Sequence, residues 1–185
     1  MKNIEKDKLL FNSSRINVYE TEQGIIYAQR RNKDSIAALC FRKNSDNSKD
    51  YLIRFQPLVQ VEDNKSWDEL YPCPITGSFE ENERPLNVAI REVYEEAGYK
   101  ISENNLVNQL KYFATTQMNE TVYGYIFDIT GLENEIPQTD GSLMEKISKN
   151  IWMSEKDVKD IIENRNNLAS LPLLYYLDQK NKNEN

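Results

Sequence analysis

Histidine is absent from the 185-residue chain, and with it go Ser-His-Asp hydrolysis, imidazole general catalysis and His-ligated zinc. Cysteine is scarce: Cys40 lies in an apolar run and Cys73 between two prolines. Two thiols are too few for a zinc ribbon or a disulfide scaffold, and they read as buried thiols in a reducing cytosol. No stretch approaches the ~18 apolar residues of a membrane span. The opening MKNIEKDKLLFNSS lacks the apolar core of a signal peptide, so a cytoplasmic location is expected. Positive charge is in deficit as well: 23 Lys and Arg face 30 Asp and Glu, for a net charge of -7 and a pI near 4.8. Such a surface repels phosphate backbones and anionic lipid, so neither nucleic acid nor a membrane is the expected partner. An acidic protein that handles phosphates needs metal cations to bring them in.

What the chain does have is aromatic bulk. Eleven Tyr, 6 Phe and 2 Trp supply a core although only 39% of residues are hydrophobic, and the length suits one domain with an added N-terminal element. Residues 17–22 and 24–30 read as two short strands around a Glu-Gln-Gly turn. Residues 35–42 (SIAALCFR) suit a buried strand, and 51–59 (YLIRFQPLV) its hairpin partner across the polar tip 43–50. Residues 61–70 are polar and irregular. In 71–77 (YPCPITG) the prolines exclude helix and favour an extended approach to a turn.

The clearest helix spans 84–97, with Pro85 suited to its first position and Gly98 just past its end. Leu86, Ala89, Ile90, Val93 and Ala97 fall on one stripe at 100° per residue. Strands are expected at 109–115 and 121–130, then a long acidic loop over 131–149 and a short strand at 151–153. A helix capped by Ser154 runs to about 165, and an apolar segment at 171–177 suits a last helix. Strands, helix, strands, helix describe a mixed α/β sheet with helices on its faces. The expected division is a strand element at 1–34, a catalytic domain at 35–178 and a disordered tail at 179–185.

On the 84–97 helix, Glu92, Glu95 and Glu96 stand at i, i+3 and i+4 beside the apolar stripe. Like charges at that spacing cost a few tenths of a kcal/mol per pair, roughly, and a core-edge helix gains nothing structural from them. Divalent cations offset the repulsion, because hard ions prefer carboxylate oxygens and keep waters that phosphates can replace.

The full spacing is more specific than the acids alone. Gly77, five residues, Glu83, seven residues, Arg91-Glu92-Val93, one residue, Glu95-Glu96, one residue, Gly98 runs without a break. It resembles the Nudix box of the Nudix hydrolases, with Tyr99 standing where the box most often has an aliphatic residue. Seven fixed identities at those offsets arise by chance in roughly one sequence per million. The resemblance implies a Nudix-type α/β/α sandwich and Mg²⁺- or Mn²⁺-dependent hydrolysis of a nucleoside diphosphate linked to another moiety.

Residue by residue, the resemblance makes Glu92 and Glu96 metal ligands, Glu95 a ligand of a further metal or its water, and Thr76 a backbone-carbonyl ligand. It makes Arg91 and Glu83 an ion bridge holding the loop to the helix, with Gly77 and Gly98 structural. A Glu must act as base in a chain without His. Glu95 is one candidate; the others are the loop acids Glu133, Glu135, Asp140 and Glu145, of which Glu145 is preferred.

The layout is most similar to the ADP-ribose and nucleotide-sugar pyrophosphatase branch, in which an N-terminal sheet often mediates homodimerisation. Dinucleoside polyphosphates, nucleoside triphosphates and a non-catalytic nucleotide sensor are the alternatives. Where the branch has Gln-aromatic-Arg, this chain reads Arg54-Phe55-Gln56. Arg54, Phe55 and Glu120 are the candidate substrate contacts, and Tyr19, Tyr27 and Phe55 could stack on a base.

Overall fold

The computed structural model describes residues 7–58, 65–79, 82–138 and 141–182. Asp140, one of the candidate bases, and residues 183–185 of the expected tail lie outside the described residues.

The N-terminal meander is β1 (Lys8–Asn12), β2 (Ile16–Glu20) and β3 (Ile26–Arg30), all antiparallel. The hairpin of β4 (Ser35–Lys43) and β5 (Lys49–Pro57) follows, then β6 (Leu70–Cys73) and β7 (Ile75–Ser78), helix α1 (Pro85–Ala97), β8 (Leu106–Thr115) and β9 (Met118–Asp128). A short α2 (Leu143–Ile147), strand β10 (Lys149–Ser154), α3 (Glu155–Asn164) and α4 (Ser170–Lys182) complete the chain. Among the described residues the ten strands form one mixed sheet, along the path β1-β2-β3-β9-β4-β5-β10, with β6 on β5, β7 on β4 and β8 on β9. β4 and β9 run parallel from Ser35↔Val122 to Phe41↔Asp128.

Because strand side chains alternate, the two faces of β4 feed two cores. Ile36, Ala38 and Cys40 pack with Val88, Ala89, Val93 and Ala97 of α1. Ala37, Leu39 and Phe41 pack with Val158 and Ile161 of α3 and Leu171 and Leu174 of α4. No described helix is long and apolar enough to cross a membrane.

Two elements differ from the sequence expectation, and the extended 71–77 segment proves to be two paired strands. β6 and β7 pair with β5 and β4 on either side of Pro74, with Pro72 opposite Phe55. The expected loop 131–149 carries α2, started by Ser142, whose Oγ accepts the Glu145 N–H at 3.2 Å. The last helix extends to Lys182, so residues 179–182 are helical rather than disordered tail. The reason is Asp178: its buried carboxylate accepts hydrogen bonds from Lys49 Nζ and Tyr51 Oη at 2.6 Å each, and Gln179 donates to the same Tyr51 hydroxyl at 2.8 Å. Those contacts fix the end of α4 to β5.

Candidate active site

Helix α1 begins at Pro85 after an extended Arg84 and stops at Gly98, whose φ of +76° lets its N–H return to the Tyr94 carbonyl at 2.8 Å. A Cβ at Gly98 would stand 2.0 Å from the Glu135 carbonyl oxygen, so no other residue fits there. Between these ends, Arg91 gathers the acidic side chains. Its Nη1 meets Glu92 Oε1 at 3.0 Å and Glu95 Oε2 at 2.8 Å, and its Nη2 meets Glu83 Oε2 at 3.3 Å. The same guanidinium reaches the Ser78 carbonyl at 3.4 Å. One Arg therefore ties the loop before the helix to the helix itself, and these charges raise its own pKa against the opposing effect of its burial.

Gly77 and Glu92 need each other's shape. A Cβ on Gly77 would lie 2.2 Å from Glu92 Cδ and 2.3 Å from its Cγ and Oε1, so the missing side chain is the cradle that holds the carboxylate. Burial pushes Glu92 up to about 7, Arg91 opposes that, and Glu95 and Glu145 add to it. Glu96 is deeper, 9% exposed, with Oε1 3.2 Å from Arg54 Nη2. Its Oε2 is buried and has no hydrogen-bond partner among the described residues. Burial pushes Glu96 up to about 8, Glu92 and Glu145 push the same way, and Arg54 and the Thr76 backbone N–H push back.

The fold thus brings Glu92, Glu95, Glu96, Glu83, Arg91, Gly77 and Thr76 together, and α2 carries Glu145 into the field of Glu92 and Glu96. Glu145 and Glu96 line one cavity of about 440 Å³ with Arg54, Tyr99, Asn150 and Trp152. Glu135 faces elsewhere: it pairs with Lys100 and accepts from Tyr94 Oη at 2.9 Å.

The substrate candidates separate. Arg54 is 3% exposed, and its Nη2 and Nε are engaged by Glu96 and Gln56 at the wall of the Glu145 cavity. Phe55 is buried with Ile53, Val158 and Leu171 on the α3/α4 side, the face opposite Arg54, so it cannot stack on a substrate at the box. Tyr19 and Tyr27 are cross-strand partners stacked on each other at 5.4 Å. Glu120 is 8% exposed, 3.4 Å from Arg30 Nη1, and lines a cavity of about 580 Å³ with Arg30, Thr76, Gly77 and Ser78. Arg30 also donates to Ser78 Oγ at 2.6 Å. Arg30 and Asn150 escaped the sequence reading because neither lies in a motif; only strand register brings them here.

Among the described residues no three acidic or cysteine side chains are already drawn together as a chelate. Arg91 and Arg54 hold carboxylate oxygens that an ion would share. The donor set still fits a hard divalent cation, since the unpartnered Glu96 Oε2 and the cradled Glu92 are oxygen donors. Cys40 and Cys73 offer nothing softer, being buried with thiols pushed up to about 12.

The fold has solved counterparts. A Nudix hydrolase from M. smegmatis, RenU, matches with a TM-score of 0.57 at 11% identity, over 90% of this chain and 96% of that one. An Ap4A hydrolase from C. elegans matches at 0.51 and 16% identity, over 82% and 98%. An ADP compounds hydrolase matches at 0.60 and 16% identity, over 100% and 98%. No curated protein matches by sequence. The NUDIX domain model matches residues 32–173, most of the chain and every acidic residue gathered at α1 and α2, and the chain belongs to the NUDIX family of hydrolases.

Proposed function

We propose that this enzyme hydrolyses the pyrophosphate bond of ADP-ribose or a similar nucleotide sugar, using Mg²⁺ or Mn²⁺. The observation that carries the reading is the buried, unpartnered Oε2 of Glu96 beside the cradled Glu92, within the field of Glu145. Glu92 and Glu96 would hold the cation, with Glu95 and the Thr76 carbonyl as further ligands. Bound there, a divalent cation would supply charge neutralisation at the diphosphate and a lowered pKa for water.

The chain's own groups do the rest. Glu145 accepts the proton of a water as its oxygen bonds to phosphorus and the bridging P–O bond breaks, the electron pair leaving with the departing phosphate. Glu95 is the other candidate for that proton. Arg91 and Glu83 keep the acids in register. The Arg30–Glu120 cavity behind Gly77 supports a place for the nucleoside or sugar. The ADP compounds hydrolase, matched over the whole chain including β1–β3, favours this substrate class. Residues 1–34 are proposed to form a homodimer contact, supported by the exposed Leu9, Leu10 and Phe11 on edge strand β1, and the enzyme to work in the cytoplasm.

A phosphate-release assay with Mg²⁺, coupled to a phosphatase that acts on the monoester products but not on the intact substrates, tests this against ADP-ribose, nucleotide sugars and diadenosine polyphosphates, with nucleoside triphosphates followed by pyrophosphate release. Selective conversion of ADP-ribose to AMP and ribose 5-phosphate, abolished in Glu96→Gln, is expected. Preference for a diadenosine polyphosphate or a triphosphate overturns the substrate class, and nucleotide binding without any turnover overturns the enzyme reading in favour of a sensor.

A further inference from the structure

Glu96 is gripped twice, from two neighbouring strands. In the antiparallel pairing of β5 with β10, Arg54 stands directly opposite Asn150. Arg54 Nη2 holds Glu96 Oε1 at 3.2 Å, and Arg54 Nε donates to Gln56 Oε1 at 3.1 Å, which fixes the plane of the guanidinium. Asn150 Nδ2 donates to the main-chain carbonyl of Glu96 at 2.7 Å. A carbonyl can only accept, so this bond also fixes which way the amide points. One cross-strand pair therefore secures both the carboxylate and the backbone of a single helix residue.

Stability alone does not explain the arrangement. A buried Arg–Glu pair is often no better than a well-packed apolar pair, because desolvation offsets the attraction. What the grip does accomplish is selection between two equivalent oxygens. Oε1 is engaged by Arg54 and Oε2 is buried without a partner among the described residues. The Asn150 bond anchors the backbone of the last turn of α1, which keeps the Glu96 carboxylate within reach of Arg54.

We infer that Arg54 and Asn150 are positioning residues that present Glu96 to the cation through Oε2 alone, as a one-oxygen ligand. The inference rests on the reading of Glu96 as a metal ligand. It gives Arg54 a role through Glu96, beside the substrate contact expected of it from the sequence.

Mn²⁺ titration of the full-length protein, followed by the electron paramagnetic resonance of the free ion, tests it without turnover. Partners that orient a metal ligand typically contribute about 10- to 100-fold in affinity. Arg54→Leu is expected to weaken Mn²⁺ at least about tenfold, Arg54→Lys to recover part of that, and Asn150→Ala to weaken it several-fold. Kinetically, the Mg²⁺ activation constant should rise in these variants while KM for substrate at saturating Mg²⁺ stays level, a split that loosened folding would not produce.

Glu96→Gln distinguishes the metal ligand from its positioning partners. Unchanged Mn²⁺ affinity in that variant overturns the ligand reading itself. Weakened affinity there, together with wild-type affinity in Arg54→Leu and Asn150→Ala, overturns the positioning role and leaves the ligand standing. If Arg54→Leu does not fold, Arg54→Lys and Asn150→Ala decide: wild-type affinity in both overturns the inference, and weakening in either supports it.

Discussion

Replacing Gly77 with alanine would place a methyl group 2.2 Å from Glu92 Cδ, where ordinary contact begins near 3.4 Å. The atoms in the way belong to the outer part of a flexible side chain, not to backbone, so the protein can relieve the clash by swinging Glu92 aside. The stability cost should therefore be modest, about 1 kcal/mol. The displacement, however, is about 1 Å at a carboxylate whose position the proposed chemistry depends on, and an error of that size can cost about 100-fold in rate. Gly77→Ala should thus lose about two orders of magnitude in kcat/KM for ADP-ribose with Mg²⁺, while its urea midpoint stays near that of the wild type. An alanine enzyme with full activity would refute the role of Gly77 as a cradle. A collapse in stability would show instead that Glu92 cannot move and that the effect is one of folding.

Titration of the same acids sets a pH dependence. Glu92 and Glu96 are pushed from 4.5 to about 7 and about 8 by burial, so between those values the folded, metal-free chain holds protons that the unfolded chain has released. The contribution of these two acids to stability should be full below about pH 4.5 and fall as pH rises toward 8. The loss should reach a few kcal/mol, since each tenfold difference in proton affinity between the folded and unfolded chain is worth about 1.4 kcal/mol. Urea midpoints measured in chelator from pH 5 to 8 should decline and flatten when Mn²⁺ is added; a level chelator curve contradicts the effect of burial. Gly98→Ala meets a backbone oxygen at 2.0 Å in a left-handed conformation, and should cost about 2 kcal/mol or more in a urea melt. Asp178→Ala strands the Lys49 charge in a half-closed site, 2.6 Å from where its partner stood. It should destabilise by about 3 kcal/mol, with kcat retained well below the melting temperature.

The box was legible because its chemistry is local. Glu92, Glu95 and Glu96 share a flank at i, i+3 and i+4 spacing, and Pro85 and Gly98 bracket their helix, so one run of sequence carries both the element and its acids. β4 and α1 were equally plain, since an apolar run and a 3.6-residue stripe each record their own burial. Phe55 was misplaced for the opposite reason. Adjacent strand residues face opposite sides of a sheet, and a candidate pair named together had to be split, Arg54 to Glu96 and Phe55 to the α3/α4 core. The tail was misjudged because the partners of Asp178, Lys49 and Tyr51, lie about 130 residues earlier in the chain.

By itself, then, the sequence determined the helix, its acids and the family they belong to, through contacts within a turn or two. Tertiary structure alone decided which oxygen of Glu96 is left free, that Glu145 rather than Glu135 faces the box, and that Arg30 and Asn150 stand beside it. Those outcomes depend on strand register and on which face each strand turns inward, and both are set by pairings between segments far apart in the chain.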